Sequence, residues 1–190
     1  MEIKGERLIL KELSNKHLDF VYKMECNYLV YQYEEIEEPS KEQTYKKYMD
    51  KINEMEESQG KSLIFLICVL PDEIPVGEVH IKLNWEEIRE WEVGYTLHPD
   101  YWGNGYASEA VKLTLKHVFD NLNAHKVVGF CDANNAKSAN LMERVGMKRD
   151  GILREGKIWR NEWCDEYVYS ILEKDYLALN KSIGGLIYEK

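Results

Sequence analysis

The sequence predicts an α+β domain, a mixed and mostly antiparallel central sheet with helices on both faces. Three observations predict it. Strand-like runs at 61–70, 76–83 and 90–97 follow one another through short turns, which builds an antiparallel meander. A helix with a wide apolar face over 108–122 is followed by an apolar run at 126–131, so one strand joins by a strand–helix–strand crossover. The 190 residues are 44% hydrophobic and 31% charged, enough for one core and against disorder as the main state. No Pro/Ser-rich linker, composition break or repeat divides the chain, so we expect a single domain over 1–180 and a C-terminal tail over 181–190.

Each element has a local signal. Arg7-Leu8-Ile9-Leu10-Lys11 reads as the first strand. Ser14 is placed to cap a helix over 15–26. Ser40 caps a second helix over 41–57, with Gln43 as its capping-box partner. Tyr45, Tyr48 or Met49, Ile52 and Met55 fall at helical spacing along it, and Gly60 closes it. Within 76–83 the residues alternate, with Val79 and Ile81 to one side and Glu78, His80 and Lys82 to the other. A short helix over 136–144 is ended by Gly146. Strands at 148–157 and 166–172 flank a Trp-Arg-Asn-Glu-Trp turn, and a closing helix follows over 173–180.

The formal net charge of −9 argues against a duplex nucleic-acid partner, which needs a basic stripe, and suits a cationic or amine substrate. Cys26, Cys68, Cys131 and Cys164 form no CxxC pair and match no zinc spacing. They read as small buried hydrophobes of a reducing compartment, and no metal is expected. The first residues carry mixed charge without a long apolar region, unlike a secretory signal. The longest apolar run, 63–70, falls far short of the roughly 20 residues of a membrane span. A cytoplasmic protein without a membrane partner is the expectation.

The chemically informative stretch is Trp91-Glu92-Val93-Gly94-Tyr95-Thr96-Leu97, then His98-Pro99-Asp100-Tyr101-Trp102-Gly103-Asn104-Gly105-Tyr106-Ala107-Ser108-Glu109-Ala110. A strand runs into a loop with two glycines, and a helix follows at once. Such glycines let the backbone turn sharply and approach a ligand closely, and a helix N-terminus offers free N–H groups to an anion. A P-loop needs Gly-Lys-Ser/Thr, where this chain has Gly105-Tyr106-Ala107. A dinucleotide fingerprint needs a third glycine, where Ser108 stands, and a parallel context that the hairpins deny. A strand-to-helix connection with no ligand stays open on the glycines alone.

This segment resembles the acetyl-CoA motif of the GNAT N-acetyltransferase superfamily, Gln/Arg-x-x-Gly-x-Gly/Ala, with Trp102 at the Gln/Arg position. Tyr101-Trp102-Gly103-Asn104-Gly105-Tyr106-Ala107 is similar to the ribosomal-protein N-terminal acetyltransferase branch of that superfamily. Glu6-Arg7-Leu8-Ile9-Leu10 resembles the opening strand of the branch. Asn135-Ala136-Lys137-Ser138 with Met142-Glu143-Arg144-Val145-Gly146-Met147 resembles its Asn-x-x-Ser and Glu-x-x-Gly-Phe segment, and 163–172 resembles its closing strand. The matches run in order over roughly residues 5–175. The resemblance implies acetyl-CoA as co-substrate in a cleft where two adjacent strands, 92–97 and 126–132, splay apart. The Leu97 backbone would bind the pantetheine arm. The amides of Trp102, Gly103, Asn104, Gly105, Tyr106 and Ala107 would cradle the pyrophosphate, which needs little basic side-chain charge. Asn135 and Asn140 would contact the co-substrate.

Acetyl transfer from a thioester needs a neutral amine, a stabilised carbonyl oxygen and a proton for the departing thiolate. Direct attack by the amine needs no covalent intermediate. Glu92 is the first candidate base, by its position on the strand that carries the pantetheine site. Glu78, next to His80, is the second, and a water relay is the third. Many members of the superfamily donate the proton from a Tyr at the position of Met142, which cannot, and Ser138 is the alternative donor of the branch. Tyr167 and Tyr169 read as sheet residues. The implied activity is N-acetylation of a protein N-terminus or of a small-molecule amine, by a monomer or homodimer. Tyr28, Tyr31, Tyr33, Glu34, Glu35 and Trp85 are the candidate acceptor surface, since acids beside aromatics suit an ammonium group. A non-catalytic acyl-CoA sensor or scaffold is the rival class, and a dinucleotide-dependent enzyme a weaker third.

Overall fold

The computed structural model describes residues 1–30, 32–33, 39–159 and 161–185, over 181–185 for the backbone alone. Among these, eight strands form one sheet: β1 (Glu2–Lys4), β2 (Leu8–Glu12), β3 (Ser62–Val69), β4 (Ile74–Trp85), β5 (Glu90–Leu97), β6 (Lys126–Asp132), β7 (Lys148–Trp159) and β8 (Glu162–Leu172). The order is β1-β2-β3-β4-β5-β6-β8-β7. Every pairing is antiparallel except β5 with β6. The helices are α1 (Leu18–Glu25), α2 (Lys41–Glu57), α3 (Tyr106–Asn121), α4 (Ala136–Arg144) and α5 (Glu173–Gly185). α3 is the crossover that makes the β5–β6 pair parallel, because two parallel strands cannot be joined by a hairpin.

Two apolar clusters cover the two faces of the sheet. One joins Val79, Ile81, Trp91 and Val93 to Val111, Leu115 and Val118 of α3. The other joins Ile9, Ile64 and Leu66 to Val21 of α1 and Tyr48 and Ile52 of α2. Period-two alternation along β2 and β3 feeds both. α2 starts as its sequence demands: Gln43 N–H donates to Ser40 Oγ, and the Ser40 N–H to Gln43 Oε1. α1 begins instead with a 3₁₀ turn at Asn15–His17, and the Ser14 N–H donates to His17 Nδ1. The short polar β1 carries no apolar signal and goes unpredicted. α5 runs to Gly185, past the predicted end at 180.

The junction that matters lies between β5 and β6. Their bonded pairs are Glu90 with Lys126, Trp91 with Val127 and Glu92 with Val128, and there they stop. Beyond that point β5 stays paired with β4 as far as Leu97, opposite Gly77. β6 stays paired with β8 as far as Asp132, opposite Glu166. A splay results, with unpaired backbone along both inner edges.

Candidate active site

The splay opens into a groove of about 650 Å³. Tyr95, Thr96 and Leu97 of β5 form one wall, and Phe130, Cys131 and Asp132 of β6 the other. The Gly loop and first turn of α3 close one end, and Leu29, Val30, Gln32 and Tyr33 line it as well. The Val93 carbonyl faces Gly129 of β6, so period-two alternation aims the N–H and C=O groups of Tyr95 and Leu97 at the same open edge.

The loop is built for its shape. Gly103 and Gly105 have φ of +81° and +77°, the left-handed region that other residues adopt at a cost. No side chain caps α3, so its first N–H groups are left for a ligand, and Gly105, Tyr106, Ala107 and Ser108 line the groove there. Asn104 turns the other way: its Nδ2 donates to the carbonyls of Tyr101 and Trp102 at 3.2 and 3.3 Å, and it does not line the groove. Trp102 Nε1 donates to the Leu97 carbonyl at 2.8 Å and ties the loop to the end of β5. That bond takes one lone pair of the carbonyl expected to hold pantetheine.

Sequence reasoning missed the brace behind the loop. Arg7 Nη1 donates to the Asn104 carbonyl at 3.1 Å, Nε to Glu109 at 2.8 Å, and the guanidinium lies over the Tyr106 ring. Lys137, whose motif gives no hint of this contact, has its ammonium 4.0 Å from the centre of the Trp102 ring. Lys137 and Arg144 give the groove a basic rim in an acidic chain.

Asn135, Ser138 and Asn140 line the groove from α4. Asn135 is the N-cap, its Oδ1 accepting from the Ser138 N–H at 3.1 Å. Ser138 Oγ is 2.7 Å from the hydroxyl of Tyr95, a residue sequence reasoning did not single out. Burial pushes the Tyr95 hydroxyl up to about 12 and the neighbouring Cys131 thiol up to about 11. Cys131 and Cys68 are buried as expected, whereas Cys26 and Cys164 are half-buried. Met142 is buried and lies against Gly129.

The candidate bases lie on the other side of β5. Glu92 sits at the last bonded pair before the splay, opposite Lys82, and outside the groove lining. Partial burial raises its pKa, with Lys82 opposing. Glu78 and His80 were expected on a polar face, but α1 and α2 cover that face. Tyr48 donates its hydroxyl to Glu78, and burial drives the Glu78 pKa upward. The His80 ring packs over Gly94, and burial lowers its pKa to about 4, so it is neutral at physiological pH.

Of the acceptor surface, Tyr33 reaches the groove. Lys157 of β7 donates to its carbonyl at 2.5 Å and lies 3.5 Å from the buried Asp132 carboxylate, so the last hairpin meets Tyr33 there. Tyr28 is exposed beside the groove lining. Trp85 pairs with Glu90 at the far end of β5 and does not reach the splay. Tyr31, Glu34 and Glu35 lie outside the described residues. Among those described, no cluster of three His, Cys, Asp or Glu side chains is arranged for a metal, and no helix is long and apolar enough to cross a membrane.

Residues 7–148 match the family model of the acetyltransferase (GNAT) domain. The uncharacterized N-acetyltransferase YnaD of Bacillus subtilis (strain 168) is 29% identical over 93% of this chain and 99% of its own. The spermidine N(1)-acetyltransferase of Escherichia coli (strain K12) is 23% identical over 92% and 91%. A GNAT-family acetyltransferase structure from Bacillus anthracis superposes with a TM-score of 0.80 at 30% identity, covering 92% of this chain and 99% of that one. RimL, a ribosomal-protein α-N-acetyltransferase solved with coenzyme A, gives 0.81 at 16% identity over 90% and 98%, a likeness of fold.

Proposed function

The chain belongs to the GNAT acetyltransferases and moves an acetyl group to an amine, and from that premise we propose that the β5–β6 groove is where acetyl-CoA and the amine meet. The observation that carries this is the end of β5–β6 pairing at Glu92 and Val128, which leads from an unpaired strand edge to an uncapped helix N-terminus. Acetyl-CoA supplies the thioester. The N–H groups of Tyr95 and Leu97, the Tyr95 carbonyl and the second lone pair of the Leu97 carbonyl suit an amide-bearing arm. The N–H groups at Gly103, Gly105, Tyr106 and Ala107 suit the pyrophosphate, whereas the Trp102 N–H, expected among them, donates to the Pro99 carbonyl at 3.1 Å, and the Asn104 side chain and Arg7 hold the loop that presents them. Asn135 and Asn140 add amide contacts along α4. No metal takes part in this reading.

The amine attacks directly. Glu92 accepts the ammonium proton, by way of a water across the strand, and Ser138 delivers a proton to the departing thiolate. The acceptor enters between Tyr33 and the β7–β8 hairpin and is a protein N-terminal α-amine or a small-molecule amine, the two chemistries named in RimL and in the spermidine enzyme. The setting is cytoplasmic, the working unit a monomer or homodimer, and neither a membrane nor nucleic acid is a partner. The test is calorimetric titration with acetyl-CoA on the wild type and Gly105→Val. Valine at φ +77° is strained and narrows the cradle, so its binding is lost. Full affinity in the variant would remove the loop from the site.

A further inference from the structure

Ser138 is the proton donor in the reading above, and a serine hydroxyl is a weak acid, so its surroundings must make it one. The Tyr95 hydroxyl lies 2.7 Å from Ser138 Oγ and 3.2 Å from the Ser138 carbonyl. Each hydroxyl has one proton, which leaves two arrangements. In the first, Tyr95 donates to the Ser138 carbonyl and Ser138 donates to the Tyr95 oxygen, so the serine proton is occupied. In the second, Tyr95 donates to Ser138 Oγ, and the serine proton is free to point into the groove. Exchange between them needs only the rotation of two hydroxyls.

The rest of the site favours that exchange. The Tyr95 ring is packed against the core cluster, so its hydroxyl is held at Ser138. The Ser138 N–H is fixed by Asn135 Oδ1, which anchors the serine backbone at the first turn of α4. Met142, one turn further along α4, is buried and has no proton to give. Tyr95 and Ser138 both line the groove.

We propose that Tyr95 is the positioning residue that makes Ser138 a proton donor, by giving its hydrogen bond to Ser138 Oγ as the serine proton leaves. When the tetrahedral adduct collapses, the C–S bond breaks and its electron pair goes to sulfur. The Ser138 O–H bond breaks and an S–H bond forms. The adduct nitrogen releases its proton to water as it becomes an amide. The phenol is the stronger acid of the two hydroxyls, so Tyr95 passes its proton to Ser138 Oγ as the serine proton leaves, and a proton from bulk water restores the tyrosine, balancing the one that the adduct nitrogen released. The hydrogen bond to a developing charge is worth about 10- to 100-fold in rate.

The inference rests on the acetyl-transfer reading and on Ser138 as donor, and a double-mutant cycle separates the three. Thiol release from acetyl-CoA is followed with spermidine and with a short peptide bearing a free N-terminus, for the wild type, Tyr95→Phe, Ser138→Ala and the double variant. Tyr95→Phe lowers kcat about 10- to 100-fold with the acetyl-CoA affinity held within about 2-fold, and adds nothing to Ser138→Ala. A purely structural Tyr95 would shift affinity or melting and would add to Ser138→Ala. Slow Ser138→Ala with wild-type kcat in Tyr95→Phe, or with additive losses, overturns the role of Tyr95 alone. Wild-type kcat in Ser138→Ala overturns the donor and this inference with it. No turnover above background by the wild-type protein overturns all three.

Discussion

Trp102 is held from two sides, by its indole N–H on the Leu97 carbonyl and by the Lys137 ammonium over its ring. Those contacts tie the Gly loop to β5 and to α4, so one side chain fixes three parts of the proposed co-substrate site. Trp102→Phe keeps a ring for Lys137 and removes the indole N–H. Acetyl-CoA affinity falls about 5-fold by calorimetry, the worth of one ordinary hydrogen bond of ~1 kcal/mol. In the proposed mechanism, pH enters at Glu92. Burial holds its carboxyl protonated to higher pH than an ordinary 4.5, and a base acts only when charged. The kcat/KM of the wild type therefore rises with pH along a limb above that value. Glu92→Gln loses the limb and about 100-fold in rate at neutral pH. The sign for stability is the reverse. A raised folded-state pKa means that the stability Glu92 contributes falls as pH rises through that window, so the glutamine variant is no less stable at neutral pH. An unchanged pH profile in Glu92→Gln would remove Glu92 as the base.

At the scale of elements, β5 is the part on which everything hangs, and β4 sets its position. Gly77 lies opposite Leu97, and a Cβ there would come 2.3 Å from the Thr96 carbonyl and 2.9 Å from Leu97 Cα, both backbone atoms that cannot swing aside. Gly77→Ala therefore costs about 1–3 kcal/mol in urea unfolding and displaces the groove end of β5. An alanine variant of wild-type stability would contradict this packing. The same strand explains what the sequence revealed and what it hid. β5, α2 and α4 have the bounds that the sequence predicts, because alternation, a Ser40–Gln43 capping box and the Gly146 stop are local signals. The Gly loop was legible too, since φ near +80° selects glycine. The partnership of Tyr95 with Ser138 was hidden, because 43 residues separate them and only the β5–α4 packing joins them. The burial of Glu78 was hidden for the same reason: alternation assigns a face, and what covers that face is tertiary.

For the whole molecule, a net charge of −9 coexists with a groove whose proposed anion site is made of backbone N–H groups, with Lys137 and Arg144 at the rim. The sheet is packed by helices on both faces and opens into the groove where β5 and β6 part. The proposed function uses that junction, where backbone groups of both strands lack a strand partner. Trp102, Tyr95 and Gly77 all bear on the same few ångströms of β5. The account stands or falls on acetyl transfer in that groove. The most direct measurement incubates the protein with acetyl-CoA and an amine panel, following free thiol and the mass of each amine together. The account predicts one thiol released for each acetyl group gained by an amine, with both lost in Gly105→Val. Tight binding of acetyl-CoA with no amine acetylated would contradict it and leave an acyl-CoA sensor in its place.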